Sequence, residues 1–190
     1  GQKNLHGFKL EIPGDPSSAA PFVILTLLTH GSKLLIKNIN CNPSRIGFIK
    51  ILRKMNAKIK IKNLKKKAGE FVGDIFVKSS NLKAINCTKD LVPFSIDEFP
   101  LLFVVASITR GVTKFSGIGE LRHKESDRIK SMEIGLNQIG IKTLLINVIG
   151  LKSVIGILVV IAEGSLKAKT LIGNLGKNIA YLKRSIPSFG

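Results

Sequence analysis

Apolar positions along this chain switch repeatedly between a two-residue and a three-to-four-residue period, and the switches predict alternating strands and helices. Phe8 to Ile12 reads as a short strand. Asp15 then offers a helix cap, with Pro16 at the first helical position, and an apolar helix runs to about Thr29. Gly31 ends it, and Lys33 to Ile39 returns as a strand. Asn42-Pro43 predicts the start of a second helix, with Ile46, Ile49, Leu52 and Met55 at helical spacing. Ala57 to Ile61 and Asp74 to Lys78 complete the round as two strands.

The same order then recurs. Ser95 to Pro100 leads an apolar helix over Leu101 to Thr109, Gly111 ends it, and Val112 to Ser116 is a strand. Glu125 to Ile139 predicts a helix with Ile129, Met132, Leu136 and Ile139 on its apolar face, followed by a strand over Ile141 to Val148. A shorter third round reads as an apolar helix over Val154 to Ala162, a stop at Gly164 and a strand over Leu166 to Ile172. The fold class expected is therefore mixed α/β (α+β), built from repeated βαβαββ units. The units span about residues 8–80 and 81–150, with a degraded third over 151–190. Helices apolar on most faces belong in the middle, wrapped by sheets.

Thr143 to Ala162 is long and oily enough to suggest a bilayer crossing, but Asn147, Lys152 and the glycines at 150 and 156 interrupt it. A buried strand followed by a buried helix is the better reading, so no membrane partner is expected. The N-terminal residues lack a signal peptide's apolar segment and lack a starting Met, so the chain reads as a piece of something longer. Cys41 and Cys87 are too few for a disulfide framework and lack metal-ligand spacing, which points to reduced thiols in a cytoplasmic protein. The net charge of +18 raises nucleic acid as a partner. Lys outnumbers Arg 24 to 6, however, and the lysines are scattered with few aromatics between them, so a basic, solvated surface without a specific nucleic-acid partner is the expectation.

Chemistry concentrates in one place. Seven charged residues fall between Glu120 and Lys130, directly after a Gly-rich turn. Lys124 and Arg128 are four apart, and a helix beginning here would add its free N–H groups, making a site for a phosphate or carboxylate. The alternative is a salt-bridged, exposed first turn capped by Ser126 or Asp127.

Three segments together resemble the EPSP synthases, the 3-phosphoshikimate 1-carboxyvinyltransferases: Pro13-Gly-Asp-Pro-Ser-Ser-Ala-Ala20, Ile96-Asp-Glu-Phe-Pro100 and Glu120-Leu-Arg-His-Lys-Glu-Ser-Asp-Arg-Ile129. The resemblance covers about residues 5 to 148. It implies an enolpyruvyl-transferase-like fold, an inside-out α/β barrel of which this chain is most of the second domain, the first domain being absent. It also implies transfer of the enolpyruvyl group of phosphoenolpyruvate to the 5-hydroxyl of shikimate 3-phosphate, with release of phosphate and no metal or organic cofactor. Residue by residue, it makes Asp97 the general base and Glu125 the donor of a proton to the methylene carbon. Lys124 would contact shikimate 3-phosphate, Arg128 would clamp phosphoenolpyruvate, and Glu120 would lie on the shikimate side. Asp15, Ser17 and Ser18 are expected to be structural caps, and His123 a surface residue without a catalytic role.

The resemblance fades after residue 148. The family's Asp-His-Arg-Ile-Ala-Met segment is missing, its Arg position falls on Val154, and the preceding hairpin reads as shortened. The closing Ser-Phe-Pro segment has only an echo in Ile186 to Gly190. The chain by itself is therefore expected to be inactive. The alternatives are the sister enzyme acting on UDP-N-acetylglucosamine, or a non-catalytic polyanion-binding domain.

Overall fold

The computed structural model describes residues 9–150 and 153–162. Two similar units follow one another. The first comprises α1 (Pro16–Leu28), β1 (Lys33–Asn40), α2 (Gly47–Lys54), β2 (Lys58–Lys67) and β3 (Glu70–Lys78). The second comprises β4 (Asn86–Cys87), α3 (Phe99–Ile108), β5 (Gly111–Ser116), α4 (Arg128–Gln138), β6 (Lys142–Gly150) and β7 (Ser153–Ala162). Short 3-10 turns over Lys89–Leu91, Ile96–Glu98 and Gly119–His123 join these elements.

Each unit forms one sheet, in the order β1-β3-β2 for the first and β4-β5-β7-β6 for the second. All pairings are antiparallel except β4 with β5. In the first sheet, Leu34, Val77 and Ile59 line up across the strands, as do Ile36, Ile75 and Ile61, and these rows face the core. The side chains alternate, so the opposite face carries Lys33, Lys78 and Lys58 in one row. Both outer strands bulge, at Asn38 and at Asn63, each with a positive φ. The Asp74 carboxylate on the central strand accepts from the Asn38 N–H at 3.0 Å and the Asn63 amide at 2.7 Å, pinning both bulges.

Helices α1 and α3 lie side by side between the sheets, α1 packing on β1 and β3, and α3 on β7. The buried side chains of α1 include Val23, Ile24 and Leu27, and those of α3 include Phe99, Phe103 and Val105. Phe99, Phe103 and Phe115 form a ring cluster with centroids 5.1 to 5.9 Å apart. The expected arrangement of apolar helices wrapped by sheets is present.

Several boundaries differ from the sequence reading. Residues 9 to 12 form no strand. The backbone of the entering chain pairs with β1 at Gly14, whose N–H donates to the Asn38 carbonyl at 2.7 Å and whose carbonyl accepts from Asn40 at 2.9 Å. The second helix starts at Gly47, not Asn42, because Asn42 is occupied elsewhere: its side-chain carbonyl accepts the Phe71 N–H at 2.9 Å, and its amide bonds Glu70. β2 runs on to Lys67, since pairing with β3 decides its length where its own residues show no alternation.

The largest difference is at Val154 to Ala162, which is strand β7 and not a helix. It pairs with β6 from Lys142↔Ile161 to Gly150↔Ser153, and with β5 from Gly111↔Ala162 to Ser116↔Ile157. A short apolar run fits a buried helix and a buried strand equally, and here its β-branched residues and the open edge of β5 select the strand. β6 and β7 pair directly as a hairpin of nine- and ten-residue strands. The second unit reaches Ala162 rather than 150, and Val154, paired with Ile149, does not stand at the head of a helix where the family's Arg was expected. The rest of the third unit, including Gly164 and Leu166 to Ile172, lies outside the described residues. Among the described residues, no helix is long and apolar enough to cross a membrane.

Candidate active site

The charged stretch after β5 is built in three steps. Gly117, at φ +79°, turns the chain sharply, and a Cβ there would press on Lys89. Ile118 and Leu121 are then fully buried and anchor the 3-10 turn Gly119–His123. Lys124, Glu125 and Ser126 follow in bend conformation, and α4 begins only at Arg128. Asp127 caps it by accepting the Lys130 N–H at 2.9 Å, and receives Arg122 at 3.4 Å.

This start is three residues later than the sequence suggests. Lys124 lies outside the helix, so it does not share a helix face with Arg128. It pairs with Glu120 at 3.4 Å instead. The capped, salt-bridged turn is present, with Asp127 as its cap and Arg128 paired to Glu125.

Arg128 reaches across to the second element of the site. Its guanidinium contacts the Glu125 carboxylate at 2.6 Å and the Asp97 carboxylate at 3.2 Å. Asp97 sits in the 3-10 turn Ile96–Glu98 that leads into α3, 31 residues earlier in the chain. The arginine side chain is three-quarters buried, while Asp97 and Glu125 are 57% and 80% exposed. A partly buried cation thus holds two carboxylates that face solvent. Glu125 is held below the usual glutamate value, first by its own backbone N–H and then by Arg128. His123 is exposed, as expected of a surface residue.

A second polar group adjoins the first. Asp15 caps α1 through the N–H groups of Ser17 at 3.3 Å and Ser18 at 2.9 Å, and pairs with Arg45 at 2.9 Å. Burial raises the Asp15 carboxyl, but the bonds from Ser18, Ser17 and Arg45 outweigh it and leave it below the usual aspartate value. Asp15 is the cap, as read, whereas Ser18 is capped by it, donating both its N–H and its hydroxyl to the Asp15 carboxylate. Glu98, next to Asp97, is 4% exposed, and burial holds its carboxyl above the usual glutamate value. Arg45, Ser17, Asp97 and Glu98 line one shallow depression at the N-terminal ends of α1 and α3. Sequence reasoning passed over Arg45 and Glu98. The signal for Glu98 was an acid beside Asp97 at the head of an otherwise apolar helix.

The sequence pattern of EPSP synthase (3-phosphoshikimate 1-carboxyvinyltransferase) matches residues 1–149, which contain all five predicted site residues. The chain belongs to the EPSP synthase family. It is 47% identical over 136 residues to the 3-phosphoshikimate 1-carboxyvinyltransferase of Legionella pneumophila (strain Corby), covering 72% of this chain and 31% of the relative. It is 48% identical over 141 residues to that of Nitrosococcus oceani, covering 74% and 32%. An EPSP synthase structure from Acinetobacter baumannii superposes with a TM-score of 0.72 at 37% identity, over 81% of this chain and 33% of that one. The chain thus spans about a third of the length of the EPSP synthases it matches. The matched pattern stops at residue 149, yet β7 beyond it pairs on both sides within the second sheet.

Proposed function

We propose that this chain supplies one wall of a two-walled enolpyruvyl-transfer site, being most of the second domain of an EPSP synthase. The substrates are phosphoenolpyruvate and shikimate 3-phosphate. The other wall comes from protein outside these 190 residues. The observation that carries the reading is Arg128 bridging Asp97 and Glu125.

The reaction needs a base at the 5-hydroxyl of the acceptor and an acid at the methylene carbon of phosphoenolpyruvate. Asp97 is the base: it is exposed, so the hydroxyl can reach it. Its contact with Arg128 fixes the carboxylate without burying it. Oxygen then bonds to C2 of phosphoenolpyruvate while the methylene carbon takes a proton from Glu125. Glu125 then takes back one methyl proton as phosphate leaves with the proton that Asp97 holds, which restores the double bond.

Free of substrate, Glu125 is held in its charged form partly by Arg128. When the carboxylate of phosphoenolpyruvate takes over the guanidinium, that restraint is lifted and Glu125 can carry the proton it must donate. Lys124 and Glu120, already paired, stand on the acceptor side. Lys124 supplies charge to shikimate 3-phosphate once Glu120 releases it. The side chains named here perform every step, without metal or organic cofactor. The proteins of Legionella and Nitrosococcus carry the shikimate enzyme's name, which favours the shikimate acceptor over a nucleotide sugar.

Phosphate release tests the reading. The chain, a separately produced first domain of the same enzyme and both substrates should release phosphate together, and neither protein alone should. Asp97→Asn and Glu125→Gln should each abolish release, with binding of shikimate 3-phosphate retained. Turnover by the chain alone would refute the need for a second wall. Undiminished release from Asp97→Asn would refute the assignment of the base.

A further inference from the structure

The two faces of the first sheet differ in kind. One packs on α1 and carries the core rows. The other, turned away from the core, carries three consecutive rows of its own. Lys33, Lys78 and Lys58 form the first row, and Leu35, Phe76 and Lys60 the second. Asp74 and Lys62 form the third, where β1 bulges at Asn38. All five lysines in these rows are exposed, as is Lys37 beside the bulge. The one acid in the rows, Asp74, already accepts from the Asn38 N–H and the Asn63 amide. Phe76 lies half-buried in the middle of the patch, with the Nζ atoms of Lys62 and Lys78 at 4.6 and 5.5 Å from its ring centroid. Leu35, next to it in the row, is 42% exposed. Lysines that look scattered along the sequence are thus gathered by the sheet onto one surface with an apolar middle.

We propose that this face binds single-stranded nucleic acid without base preference, seating phosphates on the lysines and bases on Phe76 and Leu35. It is independent of the enolpyruvyl-transfer reading, because α1 and the residues at its head lie on the other side of the sheet. The spacing suits a chain of anions. Neighbouring strands set the lysines of a row about 4.8 Å apart, and alternate positions along β2 set Lys58, Lys60 and Lys62 about 6.8 Å apart. The charges therefore run in lines and do not converge on one point, as they would around a single small anion. A polymer with a charge on every unit meets such lines. The apolar middle row then chooses among polymers. A base stacking on Phe76 would displace the two ammonium groups from the ring toward its own phosphates. A duplex keeps its bases turned away from such a row. A bilayer surface needs a broad apolar stripe, and this row offers two apolar side chains, one of them half-buried.

The test is fluorescence anisotropy of a labelled oligouridylate, about twelve nucleotides long, with the whole chain across a salt series. One variant combines Lys58→Gln, Lys60→Gln and Lys62→Gln and removes three charges from the face. A control combines Lys9→Gln, Lys54→Gln and Lys83→Gln, three exposed lysines elsewhere, and has the same net charge. The face variant should bind about tenfold or more weakly at about 100 mM salt. Its plot of log affinity against log salt should be shallower by about 2, since each phosphate contact on a single strand contributes about 0.7. The control should bind within about twofold of the unaltered chain. Equal losses in the two variants would mean that overall charge, and not this face, attracts the strand, and would overturn the proposal. So would an unaltered chain that fails to bind at low salt. Phe76→Leu keeps an apolar side chain and removes the ring, and should weaken binding about fivefold with the salt slope unchanged. Affinity unmoved in Phe76→Leu, or polyphosphate of matched charge competing as well as the oligouridylate, would make the face a seat for bare polyanions and overturn the nucleic-acid assignment. Circular dichroism of each variant should overlay that of the unaltered chain, so that a loss is read at the face and not as unfolding.

Discussion

Arg128 shows why one side chain can decide a site: its planar fork of donors takes a carboxylate on each side, and Lys has no such fork. Arg128→Lys should therefore lower kcat/KM for phosphoenolpyruvate by about tenfold to a hundredfold while the fold persists. Steady-state kinetics of the combined domains, with circular dichroism of the chain, checks both halves. Glu98 makes the complementary prediction for pH. Burial is the largest cause holding it above the usual glutamate value. The folded state therefore binds this proton more tightly than the unfolded state does, and stability declines as pH rises from the ordinary glutamate range through the raised folded value. Glu98→Gln should lack that decline. Urea midpoints of the chain between about pH 4 and 8 measure it, and identical slopes in the two proteins would contradict the assignment.

At the scale of elements, two positions hold the site's scaffold. Gly47, the first residue of α2, donates its N–H to the Phe94 carbonyl at 3.0 Å, docking the first unit on the turn that leads to Asp97. A Cβ there would fall well inside contact distance of the Phe94 carbonyl, which is backbone and cannot swing away. Gly47→Ala should cost about 1–3 kcal/mol, read from denaturant unfolding. Asp15 closes the N-terminus of α1 with two backbone bonds and an arginine pair. Asp15→Ala should cost about 1 kcal/mol at neutral pH. The Asp15 carboxyl lies below its usual value when folded, so this contribution is present above the ordinary aspartate range and disappears as pH falls through the lowered one. The two proteins should converge in stability in acid.

Across the whole molecule, the two sheets enclose one apolar interior, and both thiols lie inside it. Burial pushes the Cys87 thiol up to about 11 and raises Cys41 as well, so little thiolate exists at neutral pH and neither sulfur is reachable. An aromatic disulfide reagent at pH 8 should label neither thiol in the folded chain and both in denaturant. Rapid labelling of Cys87 in the native protein would contradict this enclosure. The same packing explains the charge. The cross-strand row of Lys33, Lys78 and Lys58 lies on the solvent face because the alternate positions are committed to the core.

The elements of the first unit were legible from local chemistry. Asp15 followed by Pro16 starts α1 whatever surrounds it, and Gly31 at φ +73° makes the turn from it toward β1 because few other residues accept that backbone. The motif segments named the candidate site residues for the same reason, since each is a contiguous string. What local pattern could not decide was anything settled by a distant partner. Val154 to Ala162 is a strand because β5 and β6 offer it hydrogen bonds on both sides. β2 runs to Lys67 because β3 lies beside it. Arg128 reaches Asp97 because α3 and α4 begin near one another, and Ser17 and Glu98 line one depression because α1 and α3 pack side by side. Caps and turns are bought within a few residues, whereas pairing and proximity exist only once the chain has folded back on itself.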